Sequence, residues 1–322
     1  MRAQGVWGDQ TPCRSVGRTM NSARRFGPLI MAGILTVLLP AEGAQAGSAR
    51  EYLNVPVDTW LATYNSGYTT SETPEDGDDL VPGIRSNVFV QSMALTRVMD
   101  WGGRTSGITL VLPYAAVNTN AGPFSASTNG VSDIGFLLQT NIFGGPALTR
   151  ERFRSFVPQT FSSFHLLVTT PLGSYEPTSP INPSANRWMI SPTINFSYTP
   201  DKGWTWIETY VSGRFFSDNN DYHVSGAQTL SQRPLLRLEE HVSRNVIPSL
   251  WLSADAYYNL GGETAIDDAE QDNMANTLRI GAGTGWRMWR GGEFVLNYEH
   301  VVMRPAGQPG SQTVRLTLRQ LW

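Results

Sequence analysis

The sequence predicts an all-β chain that closes into a transmembrane outer-membrane β-barrel of about 12 antiparallel strands, within a range of roughly 10 to 14. Three observations carry this expectation. Side chains alternate with a period of two through most of the chain, long and short connections take turns, and tryptophans gather beside the short ones. Composition agrees: only 16% of residues are charged, against about 25% in an average soluble domain. Mean hydropathy is −0.23, and the body of the chain holds no apolar run of the roughly 18 residues that a spanning helix needs.

The chain of 322 residues divides at position 46. Arg24 and Arg25 precede the apolar stretch FGPLIMAGILTVLL, which runs from Phe26 to Leu39 and leads to Ala44-Gln45-Ala46. A basic flank, a short apolar segment and small residues at the end make a secretory signal peptide, so residues 1–46 read as leader and 47–322 as the barrel. The natural start of such a peptide would be Met20, with the first nineteen residues either an over-extended start or a long leader, and the stretch is too short for a membrane anchor. The only cysteine, Cys13, lies in the leader, so the exported chain has no thiol for a disulfide, a lipid anchor or a metal. Removing residues 1–46 takes away five Arg and two acids and leaves 19 basic against 25 acidic side chains, a net charge of −6. An acidic exported chain does not read nucleic acid.

Candidate strands start near residues 52, 85, 104, 131, 161, 187, 204 and 235, followed by SLWLSADAYYNL, LRIGAGTGWRMW, EFVLNYEHV and the closing TVRLTLRQLW. In LRIGAGTGWRMW one face carries Leu278, Ile280, Ala282, Thr284, Trp286 and Met288, and the other Arg279, Gly281, Gly283, Gly285 and Arg287. A soluble sandwich also alternates in this way, so the connections decide. Segments 65–84, 115–130, 173–186, 217–234, 262–275 and 304–311 are long and polar, whereas 101–104, 200–203, 245–248 and 290–292 are tight. Long extracellular loops and short periplasmic turns are the parity of an outer-membrane barrel, and both termini then lie on the periplasmic side. Segment 144–160 breaks the rule. Its Leu148, Phe153 and Phe156 between Arg150, Arg152 and Arg154 suggest a short amphipathic helix at the periplasmic interface, or an inward plug.

Trp101, Trp204, Trp206, Trp286, Trp289 and Trp322 all fall beside tight turns or the chain end, where an aromatic girdle meets the membrane interface. In the last strand Val314, Leu316 and Leu318 meet lipid while Arg315 and Arg319 face a watery interior. A terminal aromatic, here Trp322, is the assembly signal that the barrel-assembly machinery reads; Gln320 departs from that pattern. Glu240, between Leu238 and Val242, is a carboxyl on the predicted lipid face.

Several stretches resemble the family of outer-membrane transporters named after the meta-pathway of phenol degradation: AREYLNVPVDTW, GVSDIGFLLQTNIFGGPAL, TTPLGSYEP, the NPSANRWMISP region and DAYYNLGGET. They occur in order and span most of the chain. The resemblance implies the barrel fold, the Gram-negative outer membrane and a transport role, and none of the stretches is a catalytic signature.

No HExxH, GxSxG, phosphate-binding loop or Cys/His metal spacing is present, so no catalytic residue, metal or cofactor is expected. Inward positions are predicted for Arg187, Arg214, Arg237, Glu239, His241, Asp255, Arg279, Arg287, Glu293, Glu299, Arg315 and Arg319, with Glu208 beside them. Such a set forms either a charged constriction that selects solutes or a ladder of cross-strand ion pairs that holds a narrow barrel together. The acidic groups Glu75, Asp76, Asp78, Asp79 and Asp267, Asp268, Glu270, Asp272 lack the spacing of a calcium loop and read as solvated outer-loop surface. The expected function is a passive channel for small organic compounds, in contact with membrane lipid and lipopolysaccharide. An outer-membrane enzyme acting on lipid and a structural or adhesion barrel are the alternatives; the lipase reading needs a paired Ser and His on the lipid-facing surface.

Overall fold

The structure, a computed structural model, describes residues 47–73 and 83–322. The leader with Cys13 and Met20, and the group Glu75, Asp76, Asp78 and Asp79, lie outside the described residues. Long strands come first: β1 (Thr59–Glu72), β2 (Ile84–Trp101) and β3 (Arg104–Ala121). Then follow β4 (Phe124–Val131), β5 (Gly135–Phe143), the single helical turn α1 (Arg150–Phe153), β6 (Phe161–Thr169), β7 (Met189–Tyr198) and β8 (Thr205–Phe216). The remainder comprises β9 (Leu230–Gln232), β10 (Leu235–Ile247), β11 (Leu250–Gly261), β12 (Thr264–Ile266), β13 (Ala269–Glu270), β14 (Ala275–Trp289), β15 (Gly292–Met303) and β16 (Gly310–Leu321).

Every neighbouring pair in the wall is antiparallel, and β1 pairs with β16 from Leu61↔Leu321 to Glu72↔Gly310, so the sheet closes on itself. The wall has 12 strand positions, because β4 and β5 share one. Both pair with β3, β4 along Tyr114–Ala121 and β5 along Ser106–Val111. The break between them falls opposite Pro113, which has no N–H to give to a ladder. Small β9, β12 and β13 form a separate sheet in the long loops.

Alternation sorts side chains as the sequence predicts. Ile108, Leu110 and Leu112 of β3 are exposed to the surroundings while Thr109 and Val111 between them are buried. The last strand behaves alike, with Val314 outward and Thr313, Thr317 and Arg319 inward. Inside, hydroxyls on neighbouring strands bond across the ladder: Thr96 to Thr109 at 2.7 Å, Ser86 to Thr119 at 2.6 Å, Thr69 to Thr313 at 2.9 Å and Thr193 to Ser212 at 2.8 Å. Each pair joins two strands and satisfies two polar groups away from water.

Tight turns gather at one rim and long connections at the other, with 144–160 the exception at the tight-turn rim. Two predicted loops are shorter than expected, because β1 and β2 run into 65–84 and the β3–β4 hairpin occupies most of 115–130. Exposed Trp60, Trp101, Trp204, Trp286, Trp289 and Trp322 ring the tight-turn rim. Trp206 does not join them: it is 4% exposed and lies edge-on to Phe161 at 5.8 Å inside the barrel. Its even number on β8 puts it on the face of Glu208 and Tyr210, a parity that proximity to the turn hides. A second belt, not anticipated from sequence, marks the opposite rim. Tyr68, Tyr114, Tyr258 and Tyr298 each donate their hydroxyl to an amide side chain, Asn87, Asn129, Asn276 and Gln312 respectively.

The two sequence misfits have local partners. Gln320 accepts the indole N–H of Trp289. Glu240 remains on the outer face, where Thr209 Oγ1, directly across the ladder, donates to its carboxylate at 2.6 Å.

Candidate functional site

The interior holds the charged side chains, and strand register explains how they meet. Facing residues on adjacent strands put Glu208, His241 and Asp255 in one row of β8, β10 and β11. The next row carries Tyr210, Glu239, Tyr257 and Arg279. Within and between rows, His241 Nδ1 lies 2.7 Å from Asp255 Oδ1 and Arg237 Nε 2.7 Å from Glu239 Oε1. Farther round the wall, Arg315 reaches Glu299 at 3.1 Å, Arg279 reaches the same carboxylate at 3.5 Å, and Arg319 meets Glu293 at 3.0 Å. Arg237 and Arg279 both stand over the Tyr257 ring, each 5.5 Å from its centroid. Opposite charges desolvated together in this way offset the cost of burying each alone.

Eight of the predicted inward residues are buried on the inner face of the strands, Arg214, Arg237, Glu239, His241, Asp255, Arg279, Glu299 and Arg319, and Arg315 is half-buried on the same face. Glu293 is half-buried and accepts the Trp251 indole N–H at 3.0 Å. Two depart from the expected grouping. Arg287 is exposed at the tight-turn mouth, where its guanidinium donates to the Pro248 carbonyl at 3.3 Å. Arg187 is buried, yet it precedes β7 and belongs to the long-loop end, away from the ladder.

Sequence reading places a strand near residue 52; the structure instead sends residues 47–58 into the barrel. Gly47, Ser48, Ala49 and Arg50 are all buried. The Arg50 N–H donates to Glu208 at 2.7 Å, its Nε to Ser243 at 2.8 Å, and its guanidinium stacks over Trp251 at 5.3 Å. Tyr257 donates its hydroxyl to the Gly47 carbonyl, and Arg319 donates to Ser48 at 3.2 Å. Tyr52 lies against His165 with ring centroids 3.9 Å apart. The segment therefore crosses the interior from β16 to β6. Room for it comes from β14, whose inward Gly281, Gly283 and Gly285 leave space for neighbours: the Trp251 ring occupies the place a Cβ at Gly285 would fill.

Segment 144–160 closes the same mouth. It forms one helical turn rather than an amphipathic helix lying on the interface, and it holds the inner segment in place: Val57 donates to the Leu148 carbonyl at 2.9 Å and Asn54 to the Pro146 carbonyl at 3.1 Å. Between the two segments and the rim lies a cavity of about 540 Å³. Phe153, Phe156, Trp204 and Trp289 supply apolar walls, and Lys202 and Arg287 supply positive charge. At the other end, segment 170–188 runs along the edge of β4, with Ser174 donating to the Val131 carbonyl at 2.7 Å. Its Ile181 buries against the inward Val88 and Val117. The interior is thus narrowed from both ends.

The histidines supply one contact of a kind that chemistry could use. Ser163 Oγ and His165 Nε2 are 2.8 Å apart, a contact two residues apart on one strand that motif reading misses. It lies inside the barrel beneath Tyr52, and among the described residues no carboxylate bonds to the other ring nitrogen. Among the described residues no group of three or more His, Cys, Asp or Glu could hold a metal. Asp267 instead accepts from the backbone of Gln228 and Thr229, both at 2.9 Å, and Glu270 pairs with Arg233.

Comparison with known proteins agrees with the fold. A family model described as MetA-pathway of phenol degradation matches residues 69–312. The structure is similar to an outer membrane channel of Pseudomonas putida F1, with a TM-score of 0.74 and 17% identity over 86% of this chain and 100% of that one. It is also similar to the β domain of the Bordetella autotransporter BrkA, with a TM-score of 0.50 and 10% identity over 81% of this chain and 98% of that one. No curated protein matches the chain in sequence.

Proposed function

The chain belongs to the family described as MetA-pathway of phenol degradation, and from that premise we propose that it is a passive outer-membrane channel for small organic compounds. The observation that carries the reading is the inner segment 47–58, held across a charge-lined interior above a cavity walled by Phe153, Phe156 and Trp204. A wide aqueous pore has no need of such a barrier. A narrow path with apolar walls at one mouth suits a compact molecule with an apolar body and a few polar groups. The tight-turn rim faces the periplasm in this reading. The charged ladder both ties the wall together and sets which ions accompany solute.

A nonenzymatic role is part of the proposal. Among the described residues no carboxylate orients the imidazole of the Ser163–His165 contact, and the contact lies inside the barrel, so it does not meet the needs of an outer-membrane lipase. Proteoliposomes loaded with an impermeant osmolyte test the reading. Swelling in phenol, benzoate or toluene above protein-free controls, with little in glucose or disaccharide, is expected. Faster swelling in sugars than in the aromatic solutes would refute it.

A further inference from the structure

Arg187 and Tyr222 line one small cavity in the long-loop lobe and leave their donors unused there. Arg187 is 6% exposed and Tyr222 3%. One arm of the Arg187 guanidinium donates to Gln232 Oε1, and its Cζ stands 4.7 Å from the centroid of the Phe216 ring. Its Nε and Nη1, and the Tyr222 hydroxyl, have no hydrogen-bond partner among the described residues. Tyr175 also lines the cavity; its oxygen accepts from Asn219 at 2.8 Å and it keeps its own proton to donate.

Two acids, Asp133 and Asp218, act on this charge, and neither forms an ion pair with it among the described residues. Asp133 spends its carboxylate on Ser184 Oγ at 2.5 Å, Ala185 N at 2.9 Å and Gly173 N at 3.3 Å, and no ion pair to Arg187 forms among the described residues. Burial lowers the Arg187 pKa to about 10, with Asp133 and then Asp218 acting in the opposite direction, so the guanidinium stays charged at neutral pH. Buried charge without a partner is costly, and orphaned buried donors call for an occupant. The cavity measures about 20 Å³, enough for one water-sized particle by the roughly 10–15 Å³ criterion. Water accepts two hydrogen bonds and carries no charge; several unpartnered donors lining one cavity beside a cation suit a negative occupant.

We propose that this cavity binds one small anion, a halide or the oxygen of a compact carboxylate, between Arg187 and the Tyr222 hydroxyl. Bound there, it fastens the strand end before β7 to the lobe built on Tyr222, Val224 and Leu230, and so holds the loops that narrow the long-loop mouth.

Thermal unfolding of the full barrel in detergent tests this, in sodium chloride, bromide or formate against sodium gluconate at equal ionic strength. The midpoint should rise with the logarithm of small-anion concentration and stay flat in gluconate, which is too large for the cavity. Arg187→Gln should abolish the dependence. Tyr222→Phe, which preserves the ring packing, should weaken it, and it carries the test if the Arg187 variant fails to fold. Halide-only or formate-only stabilisation tells the inorganic source from the organic one. Crystals grown in bromide should show one anomalous peak within bonding reach of Arg187 Nε and Nη1. Equal midpoints in all four salts overturn the proposal, and so does a peak without a salt-specific shift, which marks an adventitious ion only.

Discussion

The backbone N–H of Arg50 donates to the buried carboxylate of Glu208 at 2.7 Å, which joins the inner segment to the wall of the barrel at β8. The Arg50 side chain adds bonds to Ser243, Asn245 and the Trp204 carbonyl. Arg50→Ala removes those and the stacking on Trp251 but keeps the backbone bond. The expected result is a folded barrel whose single-channel records show more frequent excursions to a higher conductance; records identical to wild type would mean that the side chain does not hold the segment.

Lumen charge sets ion preference if the ladder borders the path. Arg279, Arg315 and Arg319 all reach inward carboxylates, so replacing the three with Gln leaves Glu299 and Glu293 without their cations. Reversal potentials under a salt gradient should move toward cation selectivity. The contrasting change is Leu316→Arg on the outer face, which costs about 2–4 kcal/mol near the bilayer midplane and should lower the folded yield instead.

Strand alternation was legible because it is a local property: in TVRLTLRQLW each residue declares its face, and the structure puts Val314 outward and Arg319 inward. The inner segment was not, because its Tyr52, Leu53, Val55 and Val57 look like another strand and its partners, Glu208, Trp251 and Arg319, lie far along the chain. Trp206 misled for a related reason: nearness to a turn is visible in sequence, whereas the side of the wall depends on parity within β8. The glycine face of β14 was visible, but its meaning emerged only with Trp251 lying over Gly285.

That close approach gives a stability prediction. Gly285→Val sets a branched side chain where the Trp251 ring lies, and overpacking of this kind costs about 1–3 kcal/mol. The folded barrel should unfold at lower temperature and show altered indole fluorescence. An unchanged midpoint would mean that Trp251 has space to move aside.

Trp322 is 49% exposed at the tight-turn rim, and its backbone exchanges two hydrogen bonds with Trp60, each 3.0 Å, where the first and last strands meet. Deleting Trp322 removes the last closing bonds and the terminal aromatic together. The yield of protein with heat-modifiable migration should fall sharply. Normal yield would remove its role in assembly.

Single-channel conductance of wild type beside a variant lacking residues 47–56, with heat-modifiable migration as the control for folding, tests the channel account most directly. The deletion removes Arg50 and Tyr52 and keeps Val57 and β1. A small, flickering conductance in wild type and a several-fold larger, steadier one in the variant is the predicted result. Equal conductance in the two folded proteins would contradict the claim that this segment is the barrier in the path.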